Sequence, residues 1–299
     1  MKQGISWLRL VLLGAGLVFA LPQQKPSNTS ESDAGSVHVE EDVAYAAVNG
    51  SELRLDIYEP AQRGEIRPAV VLIHGGGWTS FDKSTMHAMG NFLARSGFVA
   101  FAVDYRLFQG QQNRWPAQLD DVQRAVRWVR ANAAKYGVNP ERIGAFGHSA
   151  GAQLAALLGM EETRDNSDPA LARYSSRVQA VVDVSGPTDF TKDHDADGDA
   201  FLKNFLDADY AKHPEAWRDA SPVFHVEKGD APFLIVHGTQ DQDVSMSQAQ
   251  ELLAKLQAAG VPATLIKVND AHTFQTADAR RQLAIQTLAF FDRYLVDAQ

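Results

Sequence analysis

The sequence lacks cysteine altogether and carries a deficit of positive charge. Without cysteine the chain can form neither disulfide bonds nor a lipid-modified cysteine behind a leader peptide. Its fold therefore depends on its hydrophobic core, for which 45% hydrophobic residues in a chain of 299 are sufficient. The net charge of −9, from 28 basic and 37 acidic residues, makes nucleic acid an improbable partner.

Long hydrophobic runs are scarce as well, and the amino-terminal one is short for a bilayer span. This run, residues 8–20, follows the basic Lys2 and ends in the small residue Ala20. The pattern predicts a signal peptide over residues 1–20, and hence a secreted or periplasmic protein with no stable membrane insertion after cleavage. An uncleaved membrane anchor is the alternative, which Gly14 and Gly16 within the run disfavour.

The segment that follows, residues 21–36, is rich in proline, serine, glutamine and asparagine and contains almost no apolar residue. Such a composition predicts a disordered leader or tether. Removal of residues 1–20 would take away Lys2 and Arg9 and change the net charge to −11. The mature protein is therefore expected to be acidic.

Strand and helix patterns alternate from residue 37 onward, which predicts one α/β domain over residues 37–299. Asn49-Gly50 lies between two alternating runs and predicts a hairpin. The continuous apolar run 69–73 predicts a strand buried on both faces, and further strands are predicted at residues 98–103, 178–184, 232–236 and 264–268. We expect a mostly parallel, twisted sheet of about eight strands with helices on both faces. Residues 186–230 interrupt this rhythm and predict a small lid insertion over the active site.

A serine stands at the turn between a strand pattern and an apolar helix pattern, in Gly147-His148-Ser149-Ala150-Gly151. A G-x-S-x-G motif in this context predicts a nucleophile elbow, since glycines on both sides of the serine allow a sharp turn. Ser149 would then be the nucleophile at a helix N-terminus. The motif can also arise by chance, so its context and the other members of the site support the interpretation.

A glycine turn, His74-Gly75-Gly76-Gly77-Trp78, follows the predicted strand 69–73. Successive glycines leave backbone N–H groups free to approach a ligand closely. We therefore predict an oxyanion hole formed by the N–H groups of Gly76, Gly77 and Ala150. A flexible turn without function is the alternative.

The base and the acid must follow the serine in the order Ser, Asp or Glu, His. Of nine histidines, only His272 comes after the last predicted strand, and it is the predicted base. Asp241 and Asp243 both lie on the loop after strand 232–236. Ser245 and Gln248 read as a capping box for a helix, which places Asp243 beside the helix N-terminus and favours Asp241 as the triad acid. A triad of this kind needs no metal or organic cofactor.

The set of motifs resembles the α/β-hydrolase esterases related to carboxylesterases, acetylxylan and feruloyl esterases, and the hormone-sensitive-lipase-like group. The resemblance covers residues 37–296 and rests on HGGGW, DYR, GHSAGA, HGTxD and a late histidine, at residues 74–78, 104–106, 147–152, 237–241 and 272. It implies a serine carboxylic ester hydrolase for short to moderate acyl groups, with ester-bearing small molecules or polysaccharides as substrates. The acyl preference and the oligomeric state are left open.

Two details of the motifs separate the relatives. Hormone-sensitive-lipase-like enzymes usually carry Asp before the nucleophile and a helical cap, whereas His148 and the strand hairpin here favour the acetyl or feruloyl esterases. Arylformamidases also carry His at that position, but with an aromatic residue in place of Gly77, so an arylformamidase-like amidase is the alternative. A non-catalytic binding protein of the same fold would be expected to lack a triad member.

An acidic stretch within the predicted insertion matches half of a calcium-binding loop. Acids occupy alternate positions of the stretch, at Asp193, Asp195, Asp197 and Asp199, and Gly198 occupies the sixth position, as in such a loop. The twelfth position is Asn204, where such a loop has a bidentate glutamate. The sequence leaves two interpretations, a solvated acidic loop or a structural calcium site.

Overall fold

The computed structural model describes residues 36–62, 64–193 and 195–297. The predicted signal peptide, residues 1–20, and all but the last residue of the predicted leader, residues 21–36, lie outside the described residues. Within the described ranges, no helix is long and apolar enough to span a bilayer.

One sheet of eight strands forms the centre of the protein, in the order β1-β2-β4-β3-β5-β6-β7-β8. The first two strands form an antiparallel hairpin, β2 pairs antiparallel with β4, and all other neighbours are parallel. The strands are β1 (Val37–Val48), β2 (Ser51–Pro60), β3 (Arg67–Ile73), β4 (Val99–Val103), β5 (Val138–His148), β6 (Ala180–Val184), β7 (Phe233–Gly238) and β8 (Ala263–Val268). The predicted fold class and strand number are confirmed.

Seven α-helices connect and cover these strands in the described part of the chain. They are α1 (His87–Arg95), α2 (Ala117–Ala131), α3 (Ala150–Met160), α4 (Ala196–Phe205), α5 (Pro214–Asp219), α6 (Met246–Ala258) and α7 (Ala277–Phe291). Short 3₁₀ turns at Lys83–Met86 and Pro222–Phe224 precede or follow helices, and a π-helical turn at Asp292–Val296 extends α7. Helix α1 was not predicted from the sequence, although Met89 and Leu93 mark its buried face.

The alternating side chains of the central strands pack into two hydrophobic layers. On β3, Val71 lies in the layer that contains Leu154 of α3, whereas Val70 lies in the layer that contains Leu93 of α1. Both residues are fully buried. A strand covered on both faces explains why β3 reads as an unbroken apolar run.

Gln248, the third residue of α6, binds the insertion between β6 and β7 through hydrogen bonds. Its side-chain oxygen accepts hydrogen bonds from the backbone N–H groups of Thr188, at 2.8 Å, and Asp189, at 2.7 Å. The predicted capping box is therefore only half right. Ser245 does cap α6 by accepting from the N–H of Ser247, but Gln248 is buried and binds the insertion. A Gln at this position satisfies backbone donors wherever packing brings them.

Candidate active site

The turn at Ser149, between β5 and α3, has the strained geometry of an elbow. Ser149 adopts φ +55°, a left-handed conformation that non-glycine residues rarely take. A Cβ atom on Gly147 would collide with the carbonyl oxygen of Gly151, and one on Gly151 would collide with the carbonyl oxygen of Ile73. Only glycine fits at these two positions. The nucleophile elbow therefore owes its shape to close backbone contact on both sides of the serine.

The structure brings Ser149, His272 and Asp241 into one hydrogen-bonded line. Nε2 of His272 lies 2.9 Å from Oγ of Ser149, and Nδ1 of His272 lies 2.7 Å from Oδ2 of Asp241. The serine and the histidine are only 2% and 6% exposed. An imidazole held between a hydroxyl and a carboxylate in this way can accept the proton of the hydroxyl.

The carboxylate of Asp241 is oriented by its own loop. Its Oδ1 atom accepts hydrogen bonds from the backbone N–H groups of Asp243 and Val244, each at 2.9 Å, which leaves Oδ2 for His272. Asp243 contributes its backbone N–H to the loop, and the negative charge of its carboxylate also raises the pKa of His272. Of the two candidate acids, the structure places Asp241 against the imidazole.

The electrostatics of the pair favour the charged forms of both groups. Burial disfavours the imidazolium of His272, but the Asp241 carboxylate outweighs it and raises the pKa of the histidine. Burial likewise disfavours the Asp241 carboxylate, and the charge and hydrogen bond of His272 outweigh it, so that the pKa of Asp241 is lowered. Asp241 therefore remains ionised and stabilises a positive charge on His272.

Three buried backbone N–H groups near Ser149 are candidates for an anion-binding site. Those of Gly76, Gly77 and Ala150 make no hydrogen bond within the described part of the chain, although all three residues are buried. Gly76 and Gly77 adopt φ +105° and +58°. A Cβ atom on Gly75 would lie 3.2 Å from Cβ of Ser149, which places the glycine turn beside the hydroxyl. Buried donors without partners are available to a developing oxyanion.

Aromatic and polar side chains around the glycine turn hold it in place. The ring of Tyr105 stacks on His74 at 4.3 Å, and its hydroxyl donates to the carbonyl of His74 at 3.0 Å. Burial lowers the pKa of His74 to about 4, so this imidazole is neutral. On the other side, Nε1 of Trp78 donates to Oε1 of Gln153 on α3 at 3.1 Å. The tyrosine of the DYR motif therefore has a structural role in the site.

Two histidines that were set aside as bases support the loops of the triad. Nε2 of His148 donates to the backbone carbonyl of His272 at 3.0 Å. Nε2 of His237 donates to the carbonyl of Val244 at 3.0 Å and lies 3.4 Å from Oδ2 of Asp241. Burial, reinforced by the nearby His272, lowers the pKa of His148 to about 4. No sequence signal distinguished these neutral supporting imidazoles from surface histidines.

The acidic stretch of the insertion leads into the first turn of α4. Asp197 and Asp199 lie in the first turn of α4, and Asp195 caps that helix by accepting from the N–H of Gly198 at 2.9 Å. Asp193 accepts from the hydroxyl of Ser247 at 2.6 Å. These contacts are those of a helix start, which favours the solvated acidic loop over the calcium site.

Within the described ranges, one group of three acids and histidines has its ligand atoms within 4.8 Å of one another, namely Asp241, Asp243 and His272. Two of its members are already hydrogen-bonded to each other as acid and imidazole. The geometry of this group is that of a triad with a neighbouring carboxylate.

Comparison with known proteins agrees with this architecture. The BD-FAE family model matches residues 55–256. The probable carboxylic ester hydrolase LipM of Mycobacterium tuberculosis is 33% identical over 195 residues, which cover 63% of this chain and 44% of the relative. Esterase LipQ of the same organism is 32% identical over 225 residues, which cover 73% of this chain and 53% of the relative. The chain thus spans about half the length of the curated relatives it matches.

Solved structures match over nearly their whole length. A truncated carbohydrate esterase from gut microbiota is 28% identical with a TM-score of 0.77, and the match covers 88% of this chain and 98% of that one. Esterase 2 of Thermogutta terrifontis with butyrate bound is 28% identical with a TM-score of 0.76, over 87% and 96% of the two chains. The chain therefore belongs to the BD-FAE family of α/β-hydrolase-fold esterases.

Proposed function

We propose that this protein is a serine carboxylic ester hydrolase that forms an acyl-enzyme on Ser149. The observation that carries the proposal is the continuous contact from Ser149 Oγ through His272 to Asp241, beside buried backbone donors without partners. The relatives and structural neighbours named as esterases support it. This combination supplies a nucleophile, a base and a site for the oxyanion.

The proposed reaction has two halves. Ser149 Oγ attacks the ester carbonyl carbon while its proton passes to Nε2 of His272, and the carbonyl oxygen becomes an oxyanion hydrogen-bonded to the N–H groups of the glycine turn and Ala150. His272 then gives the proton to the leaving alcohol as the carbon–oxygen bond breaks. Water, deprotonated by the same imidazole, attacks the acyl-enzyme; the bond between the acyl carbon and Oγ breaks, the carboxylic acid leaves, and the imidazolium returns its proton to Oγ of Ser149. Asp241 stays ionised throughout and stabilises the imidazolium.

We propose short to moderate acyl groups as substrates, including acetyl or feruloyl groups on plant polysaccharides. Esterase 2 of Thermogutta terrifontis binds propionate and butyrate, and another neighbour is a carbohydrate esterase. In this chain the insertion packs its aromatic residues against the turn itself, with Phe205 stacked on Trp78 at 5.0 Å. Aromatic side chains that fill the space beside the turn favour small acyl groups over long chains.

A substrate panel tests the function. Purified protein is assayed on p-nitrophenyl esters from acetate to decanoate, acetylated xylan, methyl ferulate and N-formylkynurenine. We expect the highest kcat/KM on acetyl to butyryl esters and no turnover by Ser149→Ala, while the exposed Ser51→Ala serves as the matched control. A preference that rises beyond decanoate would contradict the proposed acyl range. Faster turnover of N-formylkynurenine than of every ester would instead assign an amidase.

Covalent labelling tests the nucleophile separately. Paraoxon phosphorylates the esterase of Thermogutta terrifontis. We expect paraoxon to inactivate this protein and to add a diethyl phosphoryl group to the peptide that contains Ser149. Labelling that persists in Ser149→Ala would place the nucleophile elsewhere.

We propose further that the enzyme acts outside the cytoplasm. The basic and apolar pattern of residues 1–20 supports secretion or periplasmic export. Intact mass of the protein recovered from periplasm and medium tests this, with loss of residues 1–20 expected. Recovery of only the full-length chain from the cytoplasm would contradict it.

A further inference from the structure

Phe81 occupies a backbone conformation that does not suit it. It lies six residues after Gly75 with φ +69°, in the left-handed region that favours glycine. Its side chain is 37% exposed. Among the described residues, the ring has no ring–ring or cation–π contact and belongs to neither hydrophobic layer. A phenylalanine in a strained conformation, partly exposed and outside both hydrophobic layers, is a candidate for a functional role.

The ring lies against the turn that forms the predicted oxyanion hole. A Cβ atom on Gly76 would lie 2.7 Å from Cδ2 of Phe81, and a Cβ atom on Gly75 would lie 3.2 Å from Cβ of Ser149. The ring, Gly76, Gly75 and the nucleophile are therefore successive neighbours. The glycine turn thus has the ring of Phe81 as a neighbour at Gly76 and the nucleophile as a neighbour at the adjacent Gly75.

Several hydrogen bonds within the turn restrict its conformation and therefore the position of the ring. The carbonyl oxygen of Gly76 accepts from the backbone N–H groups of Thr79 and Ser80, each at 3.1 Å, and from their hydroxyls at 3.3 and 2.9 Å. Four donors on one carbonyl hold residues 76–80 in a single conformation. A ring presented by such a turn loses little freedom when it binds a partner.

We propose that Phe81 is a specificity-determining residue that contacts an aryl group of the ester substrate. This inference rests on the proposed ester hydrolase function. A half-exposed phenyl ring offers an uncharged apolar surface, and such rings bind other aromatic rings by offset stacking or edge-to-face contact. The aryl group can belong to the acid, as in a benzoyl or feruloyl ester, or to the alcohol, as in a phenyl ester.

The test compares three esters by pH-stat: methyl acetate, phenyl acetate and methyl benzoate. In Phe81→Asn, which removes the ring but tolerates the left-handed backbone, we expect kcat/KM to fall about tenfold more on an aryl ester than on methyl acetate. The difference should appear mainly in KM. Phe81→Tyr, which keeps the ring, should retain the selectivity of the wild type within about twofold. Each comparison is of variant to wild type on one substrate, so the intrinsic reactivity of the esters cancels.

The position of the loss identifies the aryl group. A selective loss on phenyl acetate supports contact with the alcohol part, and a selective loss on methyl benzoate supports contact with the acyl part. Phe224→Leu is the matched control. This phenylalanine is 43% exposed, but its ring faces Arg218 and Lys255 near the far end of α6, so its removal should not alter selectivity.

Folding is checked in the same variants. Because the strain is relieved, Phe81→Asn and Phe81→Gly should melt at or above the temperature of the wild type. An equal fall on all three esters, or no fall on either aryl ester, would overturn the inference while leaving the proposed function in place. A wild-type protein that hydrolyses none of the three esters would overturn both.

Discussion

The hydroxyl of Ser80 donates a hydrogen bond to the carbonyl oxygen of Gly76 at 2.9 Å. In a planar trans peptide the carbonyl of one residue and the N–H of the next point in opposite directions. The bond that holds this carbonyl therefore also sets the direction of the N–H group of Gly77, one of the predicted oxyanion donors. A side chain that does not face the substrate can in this way orient a group that does.

Ser80→Ala should lower kcat with little change in KM. The variant removes one of four donors to the Gly76 carbonyl, and a neutral hydrogen bond contributes about 0.5–1.5 kcal/mol, so we expect a loss of roughly two- to tenfold in kcat. Ser80→Thr, which keeps a hydroxyl, should recover most of it. Steady-state kinetics on p-nitrophenyl acetate measure the effect, with Ser84→Ala as an exposed control. A change confined to KM would speak against an effect on the oxyanion donors.

Asp241→Asn and Asp243→Asn should differ strongly. The first replaces the carboxylate that contacts His272, and loss of a triad acid costs on the order of 10⁴ in kcat in serine proteases. We expect a loss of at least about a hundredfold for Asp241→Asn and of less than about tenfold for Asp243→Asn, whose backbone N–H remains to hold Asp241. The kcat values of both variants, measured under the same conditions, show which aspartate is the triad acid. The reverse order would assign the acid to Asp243.

The pH dependence of kcat/KM should reflect the ionisation of His272. The base must be neutral, so activity is lost as the pH falls through the pKa of His272 in the free enzyme. Because burial is outweighed by the Asp241 carboxylate, this pKa is raised, and we expect the acidic limb to have its midpoint above the ordinary value of about 6.5. In Asp241→Asn the residual activity should show a limb at lower pH. A limb that does not move would argue that Asp241 does not act on His272.

Gln248→Leu should destabilise the protein. Its side-chain oxygen accepts from the buried N–H groups of Thr188 and Asp189, and each donor left unpaired in the interior costs about 1–3 kcal/mol. We therefore expect the free energy of unfolding to fall by about 2–5 kcal/mol, measured by urea denaturation. The exposed Gln250→Leu on the same helix is the control and should change stability by less than about 0.5 kcal/mol. Equal stabilities for the two variants would show that the insertion does not depend on Gln248.

Local patterns in the sequence predicted most of the strands and the nucleophile elbow. The unbroken apolar run of β3 predicts a strand buried on both faces, because such a strand has no solvent side to mark with polar residues. Gly147 and Gly151 predict the elbow, since the backbone contacts there exclude any Cβ atom. The helix α1 was missed, although its buried positions Met89 and Leu93 had the spacing of a helix face. The spacing of apolar residues along strands and helices depends on neighbours close in sequence, and the sequence shows it directly.

The sequence by itself determined the order of the strands along the chain, the serine at the strand-to-helix turn and the late histidine as the predicted base. Only the tertiary structure decided which acid meets that histidine, because the direction of the Asp241 carboxylate follows from two backbone N–H groups of its own loop. The same holds for Gln248, whose partners lie about 60 residues away in the chain. Contacts of this kind arise when distant segments pack and satisfy buried polar groups, and no local periodicity records them.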